Sequence, residues 1–226
     1  MSGPNSWARW ARADIDLGAV AHNVEVLRSA SSPAAVWAVV KADGYGHGAV
    51  DVAGAALDAG AAGLCVALTA EGVVLREAGI DAPILVLSEQ PVDHAATLVE
   101  HRLTPTVYTL AGVDALTAAG ASDLPVHVKI DTGMQRVGAA PADSLAVVQR
   151  VVSAAPALRL EGVYTHLACA DEPASPATAQ QLAAFDRMLA ELAVEGVEPP
   201  IVHAANSAGA LAVPESRRSV VRAGIA

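Results

Sequence analysis

Of fourteen basic residues only two are lysine, and each closes a short apolar run: Val36 to Val40 leads into Lys41, and Val126 to Val128 into Lys129. An amine can shed its proton and attack a carbonyl to form an imine, which a permanently protonated guanidinium cannot. A chain so biased towards arginine keeps lysine where a nucleophilic amine is needed. Other polar clusters also follow apolar runs. They are Asp43 to Gly48 behind Lys41, Asp131 to Arg136 behind Lys129, Tyr164-Thr165-His166, Asn206-Ser207, and Arg222-Ala223-Gly224-Ile225.

The elements that must hold these clusters repeat. Eight β-like runs alternate with Ala/Leu-rich segments of helical period: Val36 to Val40, Gly63 to Ala67, Pro83 to Leu87, Leu103 to Val107, Val126 to Ile130, Gly162 to His166, Ile201 to Ala205 and Ser219 to Arg222. Repeated βα units of this number predict an α/β fold, a (β/α)8 barrel with chemistry where strands end and βα loops begin. Asp16 is placed to cap a helix whose Val20, Val24 and Leu27 share a stripe, and Leu182, Phe185, Leu189 and Leu192 predict a helix over Ala179 to Glu195 that Gly196 ends. The longest loop candidate, Asp171 to Pro176, follows a strand end and is expected to border the site. Barrels often bind phosphate after strands seven and eight, where Ser207 offers a hydroxyl and Gly224 an open amide. With a lysine on strand one across the mouth, the set suits a phosphorylated aldehyde.

Composition narrows the class. A formal charge of −10 without a basic cluster argues against nucleic acid as a partner, since phosphates need concentrated Lys and Arg. Neither a signal peptide nor a membrane-spanning run is read from the sequence, so a soluble protein is expected. Cys65 and Cys169 lie far apart in apolar runs and are expected to be reduced thiols, which fits the cytoplasm.

At these residues the chain resembles the alanine racemase family. Val40 to Gly48 (VKADGYGHG) looks like that family's pyridoxal-phosphate attachment signature, and Lys129 to Gly138 (KIDTGMQRVG) resembles its second motif. The likeness runs from Arg12-Ala13-Asp14-Ile15-Asp16 to Arg222-Ala223-Gly224-Ile225-Ala226. It implies that pyridoxal 5'-phosphate is the cofactor, with Lys41 its Schiff-base lysine and one of two acid/base groups, Arg222 facing the pyridine nitrogen, and His166 orienting Arg222. Tyr45, Asn206, Ser207, Gly224 and Ile225 would contact the phosphate or line its pocket, the last two through backbone amides. Arg136 would sit near the cofactor's phenolic oxygen and the substrate carboxylate. Lys129 matches a lysine often carbamylated in the family, a change that turns a cation into an anion able to hold Arg136.

The resemblance also implies interconversion of L- and D-alanine and a homodimer for the full-length form. Alanine and serine are not separated by these residues. Ala223 stands where the family usually has proline, and Gln135 where it often has a smaller residue. Residues 1–226 read as one cofactor-binding barrel domain without its last helix and without the C-terminal β domain that supplies the opposing tyrosine, so weak or absent activity is expected of this fragment. The outer faces of strands eight and one are expected to be partly uncovered, favouring aggregation. Three rival readings stay open: a single-domain barrel of the pyridoxal-phosphate homeostasis type; the barrel of a basic amino-acid decarboxylase, which would present an acidic residue where Arg222 stands; and a barrel with no cofactor, in which the lysines are incidental.

Overall fold

The computed structural model describes residues 13–172 and 174–224. Eight parallel strands close on themselves in chain order: β1 (Ala35–Val39), β2 (Gly63–Val66), β3 (Ile84–Val86), β4 (Thr104–Val107), β5 (Leu124–Lys129), β6 (Leu158–Tyr164), β7 (Ile201–His203) and β8 (Val220–Ala223). The seam is a full ladder, with Trp37 opposite Arg222 and Ala38 opposite Ala223. The nine helices of the described residues are α1 (Leu17–Ser31), α2 (Lys41–Gly46), α3 (Ala49–Asp58), α4 (Thr69–Glu77), α5 (Ala95–Glu100), α6 (Leu110–Ala118), α7 (Pro141–Ser153), α8 (Ala177–Val194) and α9 (Ser207–Ala212). The expected (β/α)8 barrel is the observed architecture.

Strands in a barrel are buried on both sides, so they read as unbroken apolar runs, as Leu64-Cys65-Val66 does at 0% exposure throughout. Outside the barrel wall, helix residues such as Leu75, Val113, Val148 and Phe185 pack on Leu64, Ile84, Val126 and Val163. Inside it, Trp37, Cys65, Leu85 and Val220 form a separate cluster. The Asp16 cap is present, its carboxylate accepting from Gly18 and Ala19 N–H at 2.9 and 3.1 Å, and Val24 and Leu27 are buried beneath it. Gly196, at φ 75°, follows α8 in the left-handed turn that stops a helix.

Strands six and seven differ from expectation. β6 begins at Leu158 and both end earlier, at Tyr164 and His203, because Thr165 N–H to His203 O is the last bond between them. The expected bare faces of strands eight and one are covered instead. Val36 and Val221 are 1% and 0% exposed beneath Leu27 of α1 and Ala210 of α9, a helix the sequence pattern did not predict. A groove of about 410 Å³ remains where α1, β1 and Gly224 meet. No helix among the described residues is long and apolar enough to cross a membrane.

Candidate active site

The C-terminal ends of the strands surround a cavity of about 570 Å³, and the residues singled out by type and spacing converge on it. Lys41, Tyr45, Lys129, Arg136, His166, Asn206, Ser207, Arg222 and Gly224 all line its wall, together with Tyr164 and the loop residue Asp171. Ile225 lies outside the described residues.

Lys41 opens α2, which is no ordinary helix. Ala42, Asp43, Gly44 and Tyr45 hold φ of 51°, 54°, 61° and 56°, a left-handed turn in which three residues carry a Cβ. Each such residue costs roughly 1–2 kcal/mol, so the turn persists only where its surroundings impose it. Two carboxylates do so. Glu71 accepts from Ala42 N–H at 2.7 Å while also taking Ala67 and Leu68 N–H at 2.7 and 3.1 Å, tying the lysine turn to the end of β2. Asp43 accepts from Ala49 N–H at 2.8 Å at the start of α3. The turn delivers Tyr45 back over the mouth, its ring centroid 5.8 Å from Lys41 Nζ.

Tyr45 packs against Gly224, where a Cβ would run into its hydroxyl. Glycine is therefore required by close approach. Gly224 N–H donates to Ser207 Oγ at 3.0 Å, and Asn206 caps α9 by accepting from Gly209 N–H at 2.9 Å. The hydroxyls of Tyr45 and Ser207 thus meet at the Gly224 backbone, whose N–H is held by Ser207 Oγ, a polar cluster of the kind a phosphate fits.

Arg222, 4% exposed, donates from Nη2 to Thr165 O and Ala204 O at 2.9 and 3.1 Å and from Nη1 to His203 Nδ1 at 2.6 Å. His166 Nδ1, the expected partner, lies at 3.3 Å, so His203 makes the closer contact. Because a guanidinium only donates, His203 accepts at Nδ1 and carries its proton on Nε2, whereas His166 Nδ1 is a third, longer approach to Nη2, whose two hydrogens already serve Thr165 O and Ala204 O. Burial, followed by the Arg222 charge, pulls the His166 pKa down to about 3, which keeps it neutral. Gln181 holds the His166 loop by accepting from Ala168 N–H and donating to His166 O, each at 2.9 Å. The Arg222 guanidinium also lies 5.0 Å from the centroid of Tyr164, whose hydroxyl donates to Leu87 O and accepts from Thr106 Oγ1, both at 2.8 Å.

Lys129 is 5% exposed beside that same ring. Burial first, then the charges of Arg222, Arg136 and Lys41 against the opposing Asp131, bring its pKa down from 10.5 to about 7. Asp131 shapes the next loop by accepting from Gly133 and Gln135 N–H at 2.9 and 3.0 Å. Gln135 takes φ 57° there, a left-handed conformation that glycine adopts without strain. The mouth thus concentrates Lys41, Lys129, Arg136 and Arg222 in a protein whose net charge is −10, a field that selects an anion carrying phosphate or carboxylate groups.

Fold and site together define a (β/α)8 barrel whose lysine-bearing, cation-rich mouth is built for an anionic small molecule. The family model "Alanine racemase, N-terminal domain" matches residues 15–226. The alanine racemase of Symbiobacterium thermophilum is 45% identical over 217 residues, covering 95% of this chain and 57% of the relative, and that of Geobacillus stearothermophilus is 40% identical, covering 98% and 57%. Among solved structures, alanine racemase from Streptomyces lavendulae superposes with a TM-score of 0.88 at 39% identity over 93% of this chain and 56% of its own. The Bacillus anthracis alanine racemase with bound L-Ala-P gives the same TM-score and identity. The chain belongs to the alanine racemase family. It spans 57% of the length of each of these curated relatives. Relatives that extend so far past the match do not favour the single-domain homeostasis reading.

Proposed function

We propose that this chain is the pyridoxal 5'-phosphate-binding barrel of an alanine racemase, which interconverts L- and D-alanine for cell-wall precursor supply. The observation that carries the reading is that Lys41 shares one cavity with a phosphate cradle, Ser207 and Gly224 beside Tyr45, and with the buried guanidinium of Arg222. When bound, pyridoxal phosphate supplies an electron sink that makes the α-proton of an attached amino acid removable.

Around it each side chain has a task. Lys41 holds the cofactor through Nζ and, once free, moves a proton at one face of the substrate α-carbon. Ser207, Tyr45 and Asn206, with the amides of Gly224 and Ile225, bind the phosphate. Arg222 is assigned to the pyridine nitrogen, where a fixed cation disfavours protonation and limits how far charge is drawn into the ring, so the proton returns to the α-carbon. His166, neutral, orients Arg222. Arg136 offers a forked donor to the substrate carboxylate and the cofactor's phenolic oxygen. Lys129, with a pKa of about 7, is substantially a free amine near neutrality, the form that adds carbon dioxide. Its carbamate would place an anion among three cations and hold Arg136.

Racemisation needs a proton group on each face. Lys41 serves one, and a tyrosine from the C-terminal β domain of a second subunit is assigned the other, which makes the working form a homodimer. Both described cysteines are free, in keeping with a cytoplasmic protein. Titration with pyridoxal phosphate, followed by visible absorbance and induced circular dichroism, tests the reading. A saturable signal that vanishes in Lys41→Ala is expected, and an equal signal in that variant would overturn it.

A further inference from the structure

A file of buried polar side chains leads from Arg222 down through the barrel, away from the mouth. His203 accepts from Arg222 at Nδ1, and its Nε2 lies 2.9 Å from His127 Nδ1. His127 Nε2 lies in turn 3.2 Å from Glu161 Oε2. Both rings are 0% exposed. His203 stacks on Tyr164 at 4.4 Å between centroids, and His127 packs between Trp37 and Gly162, where a Cβ would lie 2.6 Å from the ring. Glu161 is 21% exposed and lines a different cavity, of about 440 Å³, with Pro83, Thr104 and Pro125 at the N-terminal ends of β3 to β5. The file therefore spans the barrel from the candidate site to its opposite end.

Its two ends fix its polarity. Arg222 can only donate, so His203 Nδ1 accepts and its proton sits on Nε2, donated to His127 Nδ1. The proton of His127 then sits on its own Nε2 and is donated to Glu161, which as a carboxylate can only accept. Every ring nitrogen is satisfied once, in one arrangement. Burial, the largest influence on both rings, pulls their pKa values down and keeps them neutral, while the hydrogen bond from His127 is the main cause holding the Glu161 carboxyl low.

We propose that Glu161 is a positioning residue for the site, acting through His127 and His203 to hold the acceptor nitrogen of His203 against Arg222. The proposal rests on the reading of Arg222 given above for its catalytic meaning; the polarity of the file does not. Removing the carboxylate leaves a buried Nε2–H on His127 without an acceptor, and the two rings escape by rotating or exchanging tautomers, which loosens the guanidinium.

The test is ring 15N–1H NMR of histidine-labelled chain without ligand, together with pyridoxal phosphate titration, on wild type, Glu161→Leu and Glu161→Gln. Wild type is expected to show His127 and His203 as single, neutral Nε2–H tautomers from pH 6 to 8. Glu161→Leu loses the single tautomer and binds pyridoxal phosphate about tenfold more weakly, the loss of roughly one hydrogen bond. Glu161→Gln, whose side-chain oxygen still accepts from His127, recovers both. A Glu161→Leu chain that keeps a single His203 tautomer, or wild-type affinity, overturns the proposal. Because the NMR arm needs no cofactor, failure of the cofactor reading appears separately, as absence of a pyridoxal adduct on wild-type Lys41.

Discussion

Lys129 offers a quantitative handle on the electrostatics of the mouth. Its ammonium is buried near Arg222, Arg136 and Lys41, and its pKa falls from 10.5 unfolded to about 7 folded. At 1.36 kcal/mol per pH unit, that difference is on the order of 5 kcal/mol of lost stability when the site holds neither anion nor carbamate. The sign follows from proton binding. Between about pH 7 and 10.5 the unfolded chain holds a proton on Lys129 that the folded chain lacks, so folding is increasingly favoured as pH rises through that window. Below about pH 7 both states are protonated, and the penalty is complete and constant. Lys129→Met keeps the shape and removes the charge. In urea denaturation under carbon-dioxide-free, cofactor-free conditions, the variant is expected to be more stable than wild type by roughly 2–4 kcal/mol at pH 6.5. That advantage should shrink steadily towards pH 10.5. A variant no more stable than wild type at pH 6.5, or an advantage independent of pH, would show that the Lys129 ammonium is not held at a cost in the folded chain.

Other perturbations probe the supports of the site. Glu71→Ala leaves Ala42, Ala67 and Leu68 N–H without their carboxylate, so a loss of about 2 kcal/mol in chemical denaturation and weaker binding of pyridoxal phosphate are expected; unchanged affinity would show that the left-handed turn does not need its clamp. Gly224→Ala drives a methyl group into the Tyr45 hydroxyl, and a loss of affinity for the cofactor of at least tenfold, partly recovered by adding Tyr45→Phe, is expected from fluorescence titration, at a cost of about 1–3 kcal/mol for overpacking. Supplying 13C-bicarbonate at pH 8 should produce a carbamate resonance that Lys129→Met abolishes; a resonance surviving in that variant would move the modification elsewhere.

The barrel was legible because parallel strands covered on both faces are rich in apolar residues, and each of the eight runs read from the sequence holds a strand. The ends were less legible. Where β6 and β7 stop depends on which backbone groups still find a neighbour, not on local composition. Helix α9 escaped because six residues, Ser207 to Ala212, carry too little period to register. The left-handed backbone after Lys41 was hidden because Glu71, thirty residues away in sequence by about one βα unit, imposes it. Nine of the ten residues singled out for chemistry fall on one cavity, since all were sought at strand ends. The same rule is why His127, His203 and Glu161 were missed. Side chains two apart on a strand share a face, so Lys129 pointing inward places His127 inside the barrel too, and Tyr164 likewise places Gly162 where the His127 ring needs room. Stepping back by two from each mouth residue would have found the start of the file.

Every role proposed for the side chains of this mouth depends on Lys41 holding pyridoxal phosphate. Incubation of the purified chain with the cofactor, borohydride reduction and peptide mapping by mass spectrometry test it most directly. A single dominant pyridoxyl adduct on Lys41 is the expected result. An adduct distributed over Lys129 and the N-terminal amine, or none at all in a chain shown to be folded, would contradict the account.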